Sequence, residues 1–394
     1  MKKLKYLISG YPFFWLLSAV PAWGGVALLV SLKDLYKNRR DLVIIYFAFG
    51  FLIQIISISY SVFLDVYQFM RMIGMVHNLI VYLLIVCGVV YSYSFRMDDL
   101  ISFFTKTSIL LASLVVLVFF VHLLSGQENA YSLPWGNVVF SRAGYILGFT
   151  YPRVSIFAPY VNALGLMAVI IYGIVSLSYI SGYITLKKTF VIGVAMFFVA
   201  VMAGSRTGVL IIAVLFYMNI AYKMKIVGLI LSVLVISTLL VFSYYNDLIS
   251  LLLEARAGST DTRLALYLFS LDLVLEYSPV VGLGQKPFIQ FSIPIGSHST
   301  YIGYVVKNGL LGLIFVVFGF AFIFIDLLLS IIRGCSYRVY TSIVILLVMA
   351  SLMTEDIDAF ELNALLFGIL VGLYFIERKR KGLNEKYTPN YIKK

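Results

Sequence analysis

Apolar residues fall in long runs separated by short polar clusters. The runs are 6–32, 42–64, 72–94, 101–124, 154–180, 189–204, 207–222, 226–243, 301–331, 338–354 and 361–376. An α-helix needs about 20 apolar residues to cross a hydrocarbon core, so the pattern predicts an all-α integral membrane fold with eleven or twelve helices. The choice between those numbers lies in 6–32. Pro12, Pro21 and Gly24-Gly25 weaken it as one rod and leave open two short half-helices that dip in and return. Two hydrophilic stretches interrupt the pattern, 125–153 and the larger 244–300. No internal repeat is evident, which weighs against a transporter built from two related halves.

Composition agrees with the pattern. Hydrophobic residues make up 62% of the chain and charged residues 12%, about half the usual charged share of a soluble protein. The mean hydropathy is +1.00. No removable leader is expected, because the first apolar run is followed by a basic stretch without a small-residue cleavage site. Cys87 falls in a span and Cys335 on a short basic loop, so a disulfide between them is not expected.

The net charge is +12, but its placement argues against nucleic acid. Lys33 to Arg40, Arg96 and Lys106, Lys187-Lys188, Lys223 and Lys225, Arg333 and Arg338, and the tail from Arg378 hold 19 of the 30 Lys and Arg. Putting these clusters in the cytoplasm obeys the positive-inside rule. The opposite loops then hold 11 of the 18 acids, both hydrophilic stretches face outward, and the C-terminus is cytoplasmic. The tail 378–394 reads as a solvated topology anchor.

Within this frame "AGSRTG" (203–208) stands out, an arginine between glycines at the junction of two short runs. Gly204 suits a tight turn. Ser205 is placed as an N-cap, and Arg206 then opens the next helix. The helix dipole opposes a cation there, whereas helix-start N–H groups and a guanidinium together favour an anion. The alternative is an arginine snorkelling to a lipid headgroup.

The large outer stretch repeats the theme. "STDTRLALYLFSLDLVLEYSP" (259–279) reads as an amphipathic helix with Asp261 as candidate N-cap, Arg263 in its first turn, and Tyr267 and Ser270 on the same stripe. Its plainer reading is a membrane-surface helix. "PVVGLGQKPF" (279–288) is a Gly-rich turn. In "GSHSTYIGYVVKNGLLGLIF" (296–315), His298 is a candidate proton acceptor. His77 and His122 are read as packing or helix-to-helix hydrogen bonding. "TEDIDAFE" (354–361) holds Glu355, Asp356 and Asp358. An Asp-x-Asp pair can bind a divalent cation, but on the outer side it reads mainly as a solvated acidic turn, with a role in acceptor binding as the alternative. No Cys/His cluster has metal-ligand spacing.

"AGSRTG", "TRLALY…YSPVVGLGQKPF" and "HSTYIGYVVKNGLLGLI", preceded by "RVSIFAPYVNALG" (153–165), resemble the bacterial O-antigen polymerase and ligase family over roughly 150–315. The resemblance implies a membrane glycosyltransferase fold (GT-C-like) in the bacterial plasma membrane, one multi-spanning domain with its site facing outward and the loop 244–300 part of it. It implies an undecaprenyl-diphosphate-linked oligosaccharide as substrate, no cofactor, and a chain-length regulator and flippase of the same pathway as partners. By motif, Arg206 and Arg263 correspond to diphosphate-binding arginines, with Ser205, Tyr267, Arg153 and Asn162 as further binding residues and His298 as the catalytic or acceptor-positioning group. Pro159 and Asn162 are separated where the family often has them adjacent, so the role of Asn162 stays open.

The implied reaction is metal-free. An acceptor hydroxyl attacks the sugar C1, His298 takes its proton or hydrogen-bonds it into line, and the two guanidiniums stabilise the departing diphosphate. Tyr131, Trp135 and Tyr151 either stack on sugars or form the interfacial aromatic belt. Polymerase is the favoured reaction, being the family's commonest and most divergent type, and the polymer is lipopolysaccharide or capsule. Ligase to a lipid core is the alternative, and a lipid-linked oligosaccharide flippase is the alternative of another class. A flippase should carry charges along several spans, where this chain has little beyond His77 and Asp326.

Overall fold

The computed structural model describes residues 2–17, 20–38, 41–63, 69–93, 97–125, 131–132, 138–146, 149–156, 158, 160–224, 257–287 and 295–385. The span expected at 226–243, Pro159 and Trp135 lie outside the described residues. The described helices are α1 (Lys2–Leu16), α2 (Val20–Asn38), α3 (Leu42–Phe63), α4 (Phe69–Tyr93), α5 (Met97–Ser125), α6 (Val161–Ile180), α7 (Leu186–Met202), α8 (Arg206–Met224), α9 (Ala257–Tyr277), α10 (Thr300–Ile332), α11 (Ser336–Ser351) and α12 (Glu361–Glu385). Among the described residues, six segments are long and apolar enough to cross a membrane: Leu42–Val62, Met75–Tyr93, Asp99–His122, Val161–Ile180, Arg206–Met224 and Thr300–Ile332. The chain is a multi-pass, helical membrane protein.

The run 6–32 resolves into two helices that turn back on each other. Trp23 Nε1 donates to Leu7 O at 2.8 Å, and the Tyr11 and Trp23 rings meet edge to face at 5.0 Å. Helix α6 is the centre of the molecule and is buried along nearly its whole length. It is apolar all round, as a helix surrounded by other helices should be. Small residues set the closest approach. Gly368 and Gly372, one turn apart on α12, lie against Gly88 and Ser92 on α4; a Cβ on Gly368 would fall 3.0 Å from the Gly88 Cα. Without a hydrophobic force between helices in lipid, such backbone contact is a main source of cohesion.

Two elements depart from the hydropathy reading. The stretch 125–153, expected on the outer side, contains strand structure: β1 (Tyr131–Ser132), β2 (Val138–Ile146) and β3 (Phe149–Val154) form an antiparallel sheet in that order. The run beginning at 154 therefore starts as strand and turn, and its helix begins only at Val161. Second, α10 is not one rod. Gly309 takes φ 55° and ψ −144° inside it. The Tyr301 and Phe320 rings lie 5.1 Å apart, and those of Tyr304 and Phe315 lie 6.1 Å apart. In an unbroken helix residues 19 apart would be separated by about 28 Å. The short limb 300–308 therefore folds back along the long limb 310–332.

The cytoplasm-assigned tail is also more than a solvated anchor at its start. Arg378 pairs with buried Asp326 at 2.8 Å and Lys379 with Asp41, while Arg380 lies 3.6 Å from Glu377. These contacts account for Asp326 inside a span: it also accepts from the Tyr374 hydroxyl. His77 reaches Glu361 at 3.4 Å, tying α4 to α12. Both cysteines are free.

Candidate active site

The turn between α7 and α8 forms as its residues dictate. Gly204 takes φ +66°, which a residue without Cβ adopts freely. Ser205 caps α8: its Oγ accepts from Gly208 N at 3.2 Å. Arg206 opens α8 with an exposed side chain. Gly165 lets α6 press on this turn, since a Cβ there would lie 2.5 Å from Ser205 Oγ. The segments "AGSRTG" and "NALG" are therefore in contact. Arg153 sits on β3, paired with Ser141 across the sheet.

The Gly-rich turn serves the break in α10. At the break, Leu310 N and Leu311 N lose their helical acceptors and donate instead to Pro279 O at 2.9 Å and Val280 O at 3.2 Å. Val306 O and Lys307 O, left without helical donors, accept from Leu283 N at 2.8 Å and Gly284 N at 2.9 Å. Broken helices survive at membrane depth only when their freed backbone groups find such partners. Gly282 and Gly284 both have φ +71°, and a Cβ on Gly282 would lie 2.5 Å from Asn308 N. Backbone crosses backbone here, so glycine is required.

Helix α9 lies over this turn. It begins at Ala257, four residues before the candidate cap, so Asp261 and Arg263 sit within the helix rather than at its start. The stripe Arg263, Tyr267 and Ser270 faces the loop ahead of α10. The Tyr267 hydroxyl donates to His298 O at 2.8 Å, and Ser270 Oγ accepts from Gly296 N at 2.9 Å. His298 is held at φ +66°, the sole non-glycine with positive φ among the described residues. Such conformations persist where surroundings impose them, often at functional sites. Burial, then the positive charges of Arg263 and Lys286, push the His298 imidazole down to about 4. It is neutral at pH 7.

The acidic turn, expected to be solvated, is the hub. Glu355 is 4% exposed and Asp356 5%. Lys286 from the Gly-rich turn pairs with Asp356 and lies 3.3 Å from Asp358. Lys307, beside the helix break and 2% exposed, pairs with Asp358. Burial alone would raise the Asp358 carboxyl, but the ammoniums of Lys307 and Lys286 outweigh it and hold it at about 2. Both carboxylates are thus taken up by lysines, which fills the Asp-x-Asp pair with ammonium groups rather than leaving it for a divalent cation. Thr300 clasps the same turn: its Oγ1 donates to Glu355 O at 2.7 Å and accepts from Ile357 N at 3.0 Å. The Tyr160 hydroxyl donates to Asp356 O at 3.3 Å. The Thr354 hydroxyl donates to that of Thr207 at 3.0 Å, which brings the turn against the residue next to Arg206.

Glu355 itself has no lysine. Burial raises its carboxyl to about 8, against the opposing pull of Arg263. Asn162, at the start of α6, adds a smaller pull in the same direction as Arg263. One carboxyl oxygen, Oε2, is buried with no hydrogen-bond partner among the described residues. Arg263, Tyr267, His298, Asn162 and Glu355 thus lie within electrostatic reach of one another, the Thr207–Thr354 contact sets the start of α8 against the same acidic turn with the Arg206 side chain exposed, and Arg153 lies on the sheet. Lys286 and Lys307 were not expected from the sequence, and Glu355 was read there as part of a solvated acidic turn, with acceptor binding as the alternative. Their only signal there was charge flanking glycine turns and a helix start, which ordinary loops share.

Below the acidic turn an apolar groove of about 1220 Å³ runs between α3, α10, α11 and α12. Thr300 and Ile357 line it at the end nearest the cluster, and Asp41, Arg338, Arg378 and Lys379 at the other.

No curated protein matches the chain. Residues 191–317, from α7 to just past the break in α10, match the family model described as O-antigen ligase, so this part of the membrane protein is similar to the O-antigen polymerase and ligase family.

Proposed function

We propose that the chain transfers a glycan from a polyprenyl diphosphate to an acceptor sugar hydroxyl, without metal, at the outer face of the bacterial plasma membrane. The observation that supports the reading is the cluster itself: Arg263, His298 and Glu355 share one electrostatic environment, the start of α8 that bears Arg206 touches the same acidic turn through Thr207, and Thr300 and Ile357 at that turn line an apolar groove. Each part has a task. Arg206 and Arg263 bind the diphosphate and stabilise the charge that grows on it as C1–O breaks. Ser205 fixes the α8 N-terminus so that its N–H groups add to that field. Arg153 supplies further positive charge from the sheet. Neutral His298 hydrogen-bonds the acceptor hydroxyl into line, with Tyr267 holding its backbone. The groove takes the polyprenyl chain, and the outer stretch 244–300 roofs the sugars. Basic clusters set the C-terminus in the cytoplasm.

The acceptor we propose is the sugar of a second lipid-linked repeat unit, which makes the reaction a polymerisation. Complementation of a polymerase-null strain tests it. Wild type should restore long chains, and Arg206→Ala, Arg263→Ala and His298→Ala should leave single units. Long chains that accumulate unligated in the null strain would move the reading to a ligase. Lipid-linked units held at the inner face would move it to a flippase.

A further inference from the structure

The apolar groove has two unlike ends. Its cations all lie at the end away from the acidic turn: Arg338 at the start of α11, and Arg378 and Lys379 on the last turns of α12. Asp41 is the one acid among the described lining residues. Two of the cations are oriented by carboxylates rather than used up by them. Asp326 Oδ1 takes Arg378 Nη2 at 2.8 Å, and Asp41 takes the Lys379 ammonium through Oδ2. A guanidinium carries five N–H donors and an ammonium three, and these side chains are 30% and 60% exposed. The Arg378 guanidinium also lies 5.0 Å from the Phe322 ring, which packs on Phe375 at 5.5 Å. Charged heads therefore sit directly on an apolar wall.

The depth of the groove suits one leaflet from this end. On α12 the lining residues Arg378 and Phe367 are separated by about 16 Å along the helix, as are Arg338 and Met349 on α11. Half of a hydrocarbon core is about 15 Å. The α10 wall exposes Phe318, Phe322 and Ile325, so the groove opens sideways to lipid. The positive-inside rule expects this end in the cytoplasm, and basic pockets between membrane helices on that side hold anionic lipid headgroups.

We infer that this end of the groove binds an anionic phospholipid of the cytoplasmic leaflet, with its phosphate on Arg338, Arg378 and Lys379 and an acyl chain along the apolar wall. Charge complementarity selects the occupant: an apolar slot alone accepts any lipid tail, whereas three cations at its mouth favour a head with net negative charge. Asp41 tempers the site, because its carboxylate competes with the phosphate for Lys379. The site does not depend on the reaction proposed above, whose polyprenyl chain enters at the opposite end.

The test titrates the full chain, purified in a nonionic detergent, with phosphatidylglycerol, phosphatidylcholine of the same acyl chains, and undecaprenyl phosphate, and counts bound lipid by native mass spectrometry. Phosphatidylglycerol should bind at least about fivefold more tightly than phosphatidylcholine. Arg338→Gln and Lys379→Gln should each weaken it by about fivefold, the order expected for one cation near a lipid phosphate, with phosphatidylcholine unchanged. Asp41→Asn keeps the oxygen that accepts from Val43 N at 3.0 Å but releases Lys379. It should tighten phosphatidylglycerol binding, a gain that damage to the fold would not produce. Lys187→Gln, a basic residue on α7 outside the groove, should change nothing. Equal affinity for the two phospholipids, a loss in Lys187→Gln as large as in Lys379→Gln, or no gain in Asp41→Asn overturns the inference. Undecaprenyl phosphate that displaces phosphatidylglycerol, and weakens equally in the variants, overturns it too by giving the basic end to the carrier lipid.

Discussion

Replacing Lys307 with methionine should destabilise the protein through a charge 51 residues away. The Lys307 side chain is 2% exposed and that of Asp358 11%. Removing one member of a buried ion pair typically costs about 3–5 kcal/mol, because the other charge stays behind. Lys286 remains 3.3 Å from Asp358, so the loss belongs at the lower end, about 3 kcal/mol. Adding Asp358→Asn removes the stranded charge, and replacing a buried pair by neutral groups of similar volume is often nearly neutral. The double variant should therefore recover about 2 kcal/mol of that loss, a coupling within the range for residues in direct contact. Chemical unfolding of the purified protein in nanodiscs at pH 7, run as a double-mutant cycle, gives the number. Strictly additive effects would refute the buried pairing, as would a single variant as stable as wild type.

Other consequences are as direct. Gly309→Ala should cost about 2–4 kcal/mol, combining backbone strain at a glycine-only conformation with a Cβ 2.6 Å from Gly282 N, and hydrogen exchange should quicken at residues 306–311. His298→Gly should relieve up to about 1 kcal/mol of strain at φ +66° and raise the melting temperature while abolishing long-chain product. Because His298 titrates near 4, activity should show no limb from it between pH 5 and 7; a limb there that vanishes in His298→Asn would contradict its neutrality. Arg263→Lys should lose at least about tenfold in kcat/KM, since a point charge does not replace a fork-shaped guanidinium; full activity would sink the bidentate role.

Much of the membrane architecture was legible because lipid enforces simple rules. Long apolar runs became helices, and Gly204 and Ser205 formed the turn and cap that their chemistry requires. The stripe Arg263, Tyr267 and Ser270 faced one loop because helical spacing leaves little choice. The break at Gly309 was hidden by hydropathy, which counts apolar residues without regard to chain direction. It was specified instead by "PVVGLGQK", whose backbone supplies the lost hydrogen bonds, and nothing local to 300–332 reveals that. The acidic turn was misjudged for a related reason. Acids in a loop are usually solvated, and the lysines that neutralise these arrive from 51–72 residues earlier in the chain. Neither lysine announces its partner until the helix break has brought Lys307 to Asp358.

The central claim is that Arg206 and Arg263 hold a lipid-borne diphosphate. It is tested most directly by equilibrium binding of undecaprenyl diphosphate and undecaprenyl monophosphate to the full chain in nanodiscs. Wild type should prefer the diphosphate, and Arg206→Gln and Arg263→Gln should each weaken it by at least about tenfold, the order expected for losing one charge-assisted bidentate contact, while monophosphate binding changes little. Equal affinity for the two lipids, or variants that bind diphosphate as wild type does, would contradict the account.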